Sequence, residues 1–184
     1  MKTVLIVEDE KMIRQGIKTM IMRSGVPIET IMECNNGETA LEILKEQEID
    51  VMFTDIRMPK MDGIELVQKM QSLEHIPLTV AISGYDDFAY AVEMLRNGVR
   101  EYILKPIERE KITEILKKLN AEIESRKEKE ENNQKIGYQQ MRHLMLSDEI
   151  SGEEQRTIES QYADHFYTGN YYVCCQNQVK RGEL

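Results

Sequence analysis

The sequence predicts an α/β fold, a doubly wound five-stranded parallel sheet with a C-terminal helical extension. Three observations predict it. Short, continuous, β-rich apolar runs recur up to about residue 120, as expected of strands covered on both faces. Between them lie segments whose apolar residues are three and four apart, the spacing of a helix face. Five such β-α repeats, each near the minimum crossover length, fit a parallel sheet packed between helices.

Taken in order, "TVLIV" (3–7) is the first strand, and Met12, Ile13, Ile17, Met20 and Ile21 mark the apolar face of the first helix. "IETIMEC" (28–34) is a weaker second strand. Asn35 is placed to cap the second helix, with Glu38 where a capping-box partner sits and Ala40, Leu41 and Leu44 facing inward. "VMFT" (51–54) is the third strand, followed by a helix marked by Ile64, Leu66, Val67 and Met70. "LTVAIS" (78–83) is the fourth. Asp86 and Asp87 open the next helix with charge suited to its dipole, Phe88, Ala91, Val92 and Leu95 form its apolar face, and "NG" at 97–98 closes it. "EYILK" (101–105) supplies a weaker fifth strand.

After Ile107 the helical pattern continues. Ile112, Leu116, Leu119 and Ile123 form one stripe, which dissolves at Arg126, Glu130 and Asn133 into "ESRKEKEENNQK". A solvated helix or linker is the reading favoured for that run over a long regular coiled coil. Apolar spacing returns at Tyr138, Met141, Leu144 and Met145. The expected organisation is a domain over 1–121, a helical linker or dimerisation helix over 122–147, and the start of an incomplete second domain or a disordered tail over 148–184. The last stretch holds a lone strand-like run, "NYYVCC", which cannot bury its faces by itself.

Composition narrows the function classes. Hydrophobic content of 41% with a net charge of -9 describes an acidic folded protein. That balance argues against gripping nucleic acid, which needs clustered Lys and Arg. Three cysteines, with Cys174 and Cys175 adjacent, give neither a disulfide framework nor a paired metal spacing, so reduced thiols are expected. No apolar stretch approaches a membrane span, and the start "MKTVLIVEDE" lacks signal-peptide features, so a cytoplasmic location is expected.

In open doubly wound sheets, ligands bind beyond the carboxyl ends of the strands where strand order reverses. The flavodoxin-like order 2-1-3-4-5 puts the first and third strands side by side there. Glu8 and Asp9 follow the first strand, Asp55 the third, Ser83 ends the fourth and Lys105 the fifth. Three crowded carboxylates repel, and a hard divalent cation such as Mg2+ resolves that repulsion. Lys105 adds a mobile positive charge and Ser83 a hydroxyl, both suited to phosphoryl oxygens. "VEDEKMIRQG" is acidic where a nucleotide-binding loop would need glycines. Acids, a metal and a lysine without a nucleotide cradle point to Asp55 itself accepting a phosphoryl group.

"VEDE", "DIRMPKMDG", "ISGYDD" and "EYILKPI", in this order and spacing, resemble the signature segments of the bacterial two-component response-regulator receiver domain. The resemblance covers about residues 1 to 121. It implies that Asp55 is the phosphoacceptor and that Asp9, Glu8 (through water) and the Arg57 backbone carbonyl serve Mg2+ with it. It further implies that Ser83 and Lys105 contact the phosphoryl group, that Tyr102 is an aromatic switch, and that the Lys105-Pro106 bond is cis. The implied donor is a sensor histidine kinase. The implied output is a reshaped face of the fourth helix, fifth strand and fifth helix, with homodimerisation on phosphorylation. Glu8 departs from the commonest form, which carries Asp there. The stretch "SGYDDFAYAVEMLRNGVREYILKPI" most resembles receivers fused to AraC-type helix-turn-helix output domains, so DNA is expected to be reached only through such a domain.

Two other functions compete with this reading. An aspartate-nucleophile phosphatase of the haloacid-dehalogenase type carries a second Asp two residues after the nucleophile, where this chain has Arg57. A phosphorylation-independent interaction module would not need the acid, hydroxyl and lysine together. Plainer roles compete at single residues. Asp55 could be a turn carboxylate and Tyr102 a half-buried strand tyrosine, His75, His143 and His165 read as surface residues, and the methionines at 12, 20, 22, 58 and 61 read as core filling and loop contacts.

Overall fold

The structure, a computed structural model, describes residues 1–84 and 88–146. It has five strands, β1 (Thr3–Val7), β2 (Thr30–Cys34), β3 (Val51–Asp55), β4 (Leu78–Ser83) and β5 (Glu101–Leu104). Five helices alternate with them, α1 (Lys11–Met22), α2 (Gly37–Glu46), α3 (Gly63–Met70), α4 (Phe88–Arg96) and α5 (Arg109–Leu146). All pairings are parallel and the strand order is β2-β1-β3-β4-β5, as the sequence predicts.

The period of two in each strand divides the core. Val4, Ile6, Val51, Phe53, Val80 and Ile82 face α1 and α5, where Ile17, Ile21 and the predicted stripe Ile112, Leu116, Leu119 and Ile123 are buried with them. Leu5, Val7, Met52 and Ala81 face the other way, toward Ala40 and Leu44 of α2, Leu66, Val67 and Met70 of α3, and Met94 of α4. Every residue of β3 is buried, which explains why its sequence shows no alternation.

Four local expectations need correction. Asn36, not Asn35, caps α2: its side chain accepts the Thr39 N–H at 3.0 Å, while Asn35 takes the Asn36 amide at 2.8 Å. The helix start is set by tertiary packing, because the Gly37 N–H bonds the Met61 carbonyl at 3.1 Å and a Cβ at position 37 would lie 2.8 Å from that oxygen. On α1, Met12 is 84% exposed; it sits 100° around the helix from Ile13, which begins the buried stripe through Ile17 and Ile21. On α4, among the described side chains (91–96, so not Phe88), the buried one is Met94, and Leu95, one position on, is exposed. Of the methionines, Met61 fills the core as expected, but Met22 is exposed.

Gly98 closes α4 with φ 85, and the Lys105-Pro106 bond is cis. Cys34 is a free, buried thiol, and burial pushes its pKa up to about 11. His75 is a surface residue beside Glu48 at 3.2 Å. The run 124–133 is an exposed stretch of α5, matching the solvated-helix reading. The chain divides into two compact units, Met1–Lys127 and Glu128–Leu184. Asp86, Asp87, His165, Cys174, Cys175 and the segment 148–184 lie outside the described residues. Among the described residues no helix is long and apolar enough to cross a membrane.

Candidate functional site

Register alone brings the acids together. Val7 of β1 pairs with Thr54 of β3, so the next residues on the two strands, Glu8 and Asp55, leave the sheet side by side. Asp55 in turn pairs with Ile82, one residue before Ser83, and Ser83 pairs with Leu104, one residue before Lys105. The Lys105 N–H donates to the Ser83 carbonyl at 2.7 Å, which carries the ladder one residue further and fixes where the lysine leaves the sheet.

Carboxylate oxygens of Glu8, Asp9 and Asp55 lie within 4.8 Å of one another. Glu8 and Asp55 are buried and Asp9 is exposed. The Lys105 Nζ stands 2.9 Å from Glu8 Oε2 and 3.4 Å from Asp55 Oδ2, bridging the two buried acids. Glu8 Oε1 accepts the Glu10 N–H at 3.3 Å. Its Oε2 is buried without any partner that meets hydrogen-bond geometry, so the ammonium serves it by charge rather than by an aligned bond.

Burial raises the Glu8 carboxyl, with Lys105 opposing and the Asp55 charge reinforcing the shift. Burial likewise raises Asp55, again against Lys105. For Lys105, burial favours the neutral amine, but Glu8 and Asp55 together outweigh it and its pKa is raised. Three carboxylates against one ammonium leave a charge deficit that a divalent cation would fill. The donors are all hard oxygens, and a buried Glu8 oxygen lacks a hydrogen bond; this set fits Mg2+ or a similar ion.

The loop after β3 is tightly specified. The Thr54 hydroxyl donates to the Asp55 carbonyl at 2.9 Å, and the Gly63 N–H donates to the Ile56 carbonyl at 2.8 Å. Lys60 has φ 70 with a Met61 N–H to Pro59 carbonyl bond of 3.0 Å around it, the pattern of a γ-turn. Asp62 then caps α3 by accepting the Glu65 N–H at 2.8 Å. Arg57 is exposed and lines, with Asp9, Met58 and Asp62, an open cavity of about 530 Å³.

Ser83 is buried at the end of β4. Tyr102 is half-buried, pairs with Ala81, and packs toward α2, α3 and α4. Ser83 stands two residues beyond Ala81 and so shares that face of the sheet. Glu8, Asp9, Asp55 and Lys105 thus form one cluster, Ser83 adjoins it through the Lys105 backbone, Arg57 borders it, and Tyr102 sits three residues back along β5. Sequence reasoning missed Gly63 and Arg14, whose contacts join separate elements and leave no spacing signal.

The family model of the response regulator receiver domain matches residues 4–117. An uncharacterized response regulatory protein of Vibrio cholerae is 31% identical over 121 residues, covering 66% of this chain and 46% of that protein. The uncharacterized transcriptional regulatory protein YesN of Bacillus subtilis is 31% identical over 123 residues, covering 67% of this chain and 33% of that protein. The chain therefore matches less than half the length of these curated relatives. A solved structure described as a two component transcriptional regulator AraC from Clostridium phytofermentans superposes with a TM-score of 0.61 at 32% identity, covering 70% of this chain and 99% of that one.

Proposed function

Because the chain belongs to the response regulator receiver domain family, we propose that Asp55 accepts a phosphoryl group from a phosphohistidine on a sensor histidine kinase. The observation that carries this reading is the Lys105 ammonium poised between Glu8 Oε2 and Asp55 Oδ2, at 2.9 and 3.4 Å, beside an exposed third acid. Glu8, Asp9, Asp55 and the Arg57 backbone carbonyl would hold Mg2+. When bound, that ion supplies charge neutralisation for the incoming phosphoryl oxygens.

The Asp55 carboxylate attacks phosphorus in line, the P–N bond to the donor histidine breaks, and an acyl phosphate forms. The new negative charge draws Lys105 away from Glu8 and toward the phosphoryl oxygens, and the Ser83 hydroxyl donates to another of them. Tyr102 turns inward as Ser83 moves. These shifts need only favour one of two packings of the α4-β5-α5 face to act as a switch. Homodimerisation through that face is the proposed response, in the cytoplasm, with control of transcription through a DNA-binding domain outside these residues. In this reading 1–121 is the receiver and 122–147 a helical linker or dimerisation helix. Arg57 occupies the position where a haloacid-dehalogenase-type phosphatase has its second acid, so turnover hydrolysis is not part of the proposal.

The test is incubation with Mg2+ and acetyl phosphate, followed by intact mass and a phosphate-retaining gel. One stable adduct is expected, lost in Asp55→Ala and on chelation of the metal. Continuous phosphate release without an adduct, or no reaction, rejects it.

A further inference from the structure

α1 begins at Lys11 without a side-chain cap, and the Glu10 N–H to Glu8 Oε1 bond of 3.3 Å is a local contact that helps fix how the chain turns from β1 into the helix. Arg14 does so from one turn further on. Its Nη1 donates to the Glu8 carbonyl at 2.6 Å and lies 3.4 Å from the Asp9 carbonyl. Those two oxygens belong to the peptide planes on either side of the Asp9 Cα, and a guanidinium engaging both restrains φ and ψ of that residue. Asp9 is the exposed member of the three acids, and its backbone sets the direction in which its Cα–Cβ bond leaves the chain.

The guanidinium is itself held. Arg14 Nε is 3.6 Å from Glu33 Oε2 on β2, and the same carboxylate takes Gln15 Nε2 at 2.7 Å and Lys18 Nζ at 2.5 Å. Arg14 and Glu33 are both largely shielded, with side chains 16% and 20% exposed, so this is an ordered bracket between α1 and β2 rather than a loose surface pair.

We propose that Arg14, anchored by Glu33, is a positioning residue for the divalent cation, fixing the Glu8–Asp9 turn so that the three carboxylates converge. The inference rests on the metal-binding reading of the site given above. Groups that orient metal ligands without touching the metal set its affinity, because otherwise the ligands must be ordered at the moment of binding.

The test is a Mg2+ titration of the full chain followed by amide NMR shifts, with thermal melting measured without metal. Arg14→Gln is expected to weaken Mg2+ binding about tenfold, with a much smaller proportional effect on metal-free melting. Arg14→Lys, which keeps the charge and one donor, is expected to recover part of the affinity. A parent chain that binds Mg2+ and an Arg14→Gln chain that binds it equally well overturn the inference alone. A parent chain that binds no Mg2+ overturns the metal reading and this inference with it. If Arg14→Gln does not fold, Glu33→Gln carries the test: weaker binding supports the bracket, and parent-like binding overturns it.

Discussion

Gly63 lies against the backbone of Asp55 so closely that a Cβ at position 63 would stand 2.2 Å from the Asp55 carbonyl oxygen. No side chain fits there unless the loop moves, and the obstacle is backbone rather than a flexible side-chain end. Gly63→Ala is therefore expected to destabilise the domain by about 1–3 kcal/mol and to slow acetyl-phosphate labelling of Asp55. Urea melts and the labelling rate check both; a parent-like rate would show that the Gly63 contact does not set the acceptor's position.

Lys105→Ala leaves Glu8 and Asp55 buried with no cation between them. The expected loss of stability without metal is about 3 kcal/mol, part of it regained on adding Mg2+. Asp55 should still be labelled by acetyl phosphate, but phosphorylation should no longer drive self-association. Light scattering with and without phosphodonor reads this, and a variant that dimerises like the parent would remove Lys105 from the switch.

Burial raises the native pKa of Asp55, with Lys105 opposing, and burial raises Glu8 as well. The folded chain thus keeps these protons to higher pH than the unfolded chain does. Metal-free stability should fall as pH climbs from the ordinary carboxylate range, about 4, through the raised native values. Asp55→Asn removes one buried charge and is expected to stabilise the metal-free protein by about 1 kcal/mol near neutral pH. That advantage should vanish in acid below the ordinary range. Denaturant midpoints across pH test it, and a variant less stable than the parent at neutral pH contradicts it.

Leu104 on β5 and Leu95 on α4 are 43% and 53% exposed, whereas Leu119 of α5 is fully buried. Leu104→Glu should change monomer stability by less than about 0.5 kcal/mol while suppressing phosphodonor-induced dimers. Leu119→Ala should instead cost about 2–5 kcal/mol whatever the phosphorylation state. Equal dimerisation by Leu104→Glu and the parent would place the proposed interface elsewhere.

Strands were legible in the sequence because burial on both faces leaves unbroken apolar runs, as in β3. The convergence of the candidate residues was legible because strand order places Glu8 beside Asp55 and Lys105 beside Ser83. Single helix positions were less so. Adjacent apolar residues such as Met94 and Leu95 offer two neighbouring stripes, and only packing chooses between them. The cap slipped from Asn35 to Asn36 because the start of α2 is pinned by Met61, far away in sequence. Arg14 and Glu33 carried no readable pattern, and Gly63 was visible only as the end of a signature segment, since the role of each comes from a contact with the backbone or side chain of another element.

The sheet keeps two side-chain populations apart, α1 and α5 on one flank, α2, α3 and α4 on the other. Substitutions that accumulate beneath one flank need few compensating changes beneath the other. Repacking beneath α1 and α5 can therefore proceed while the layer beneath α2, α3 and α4 stays as it is.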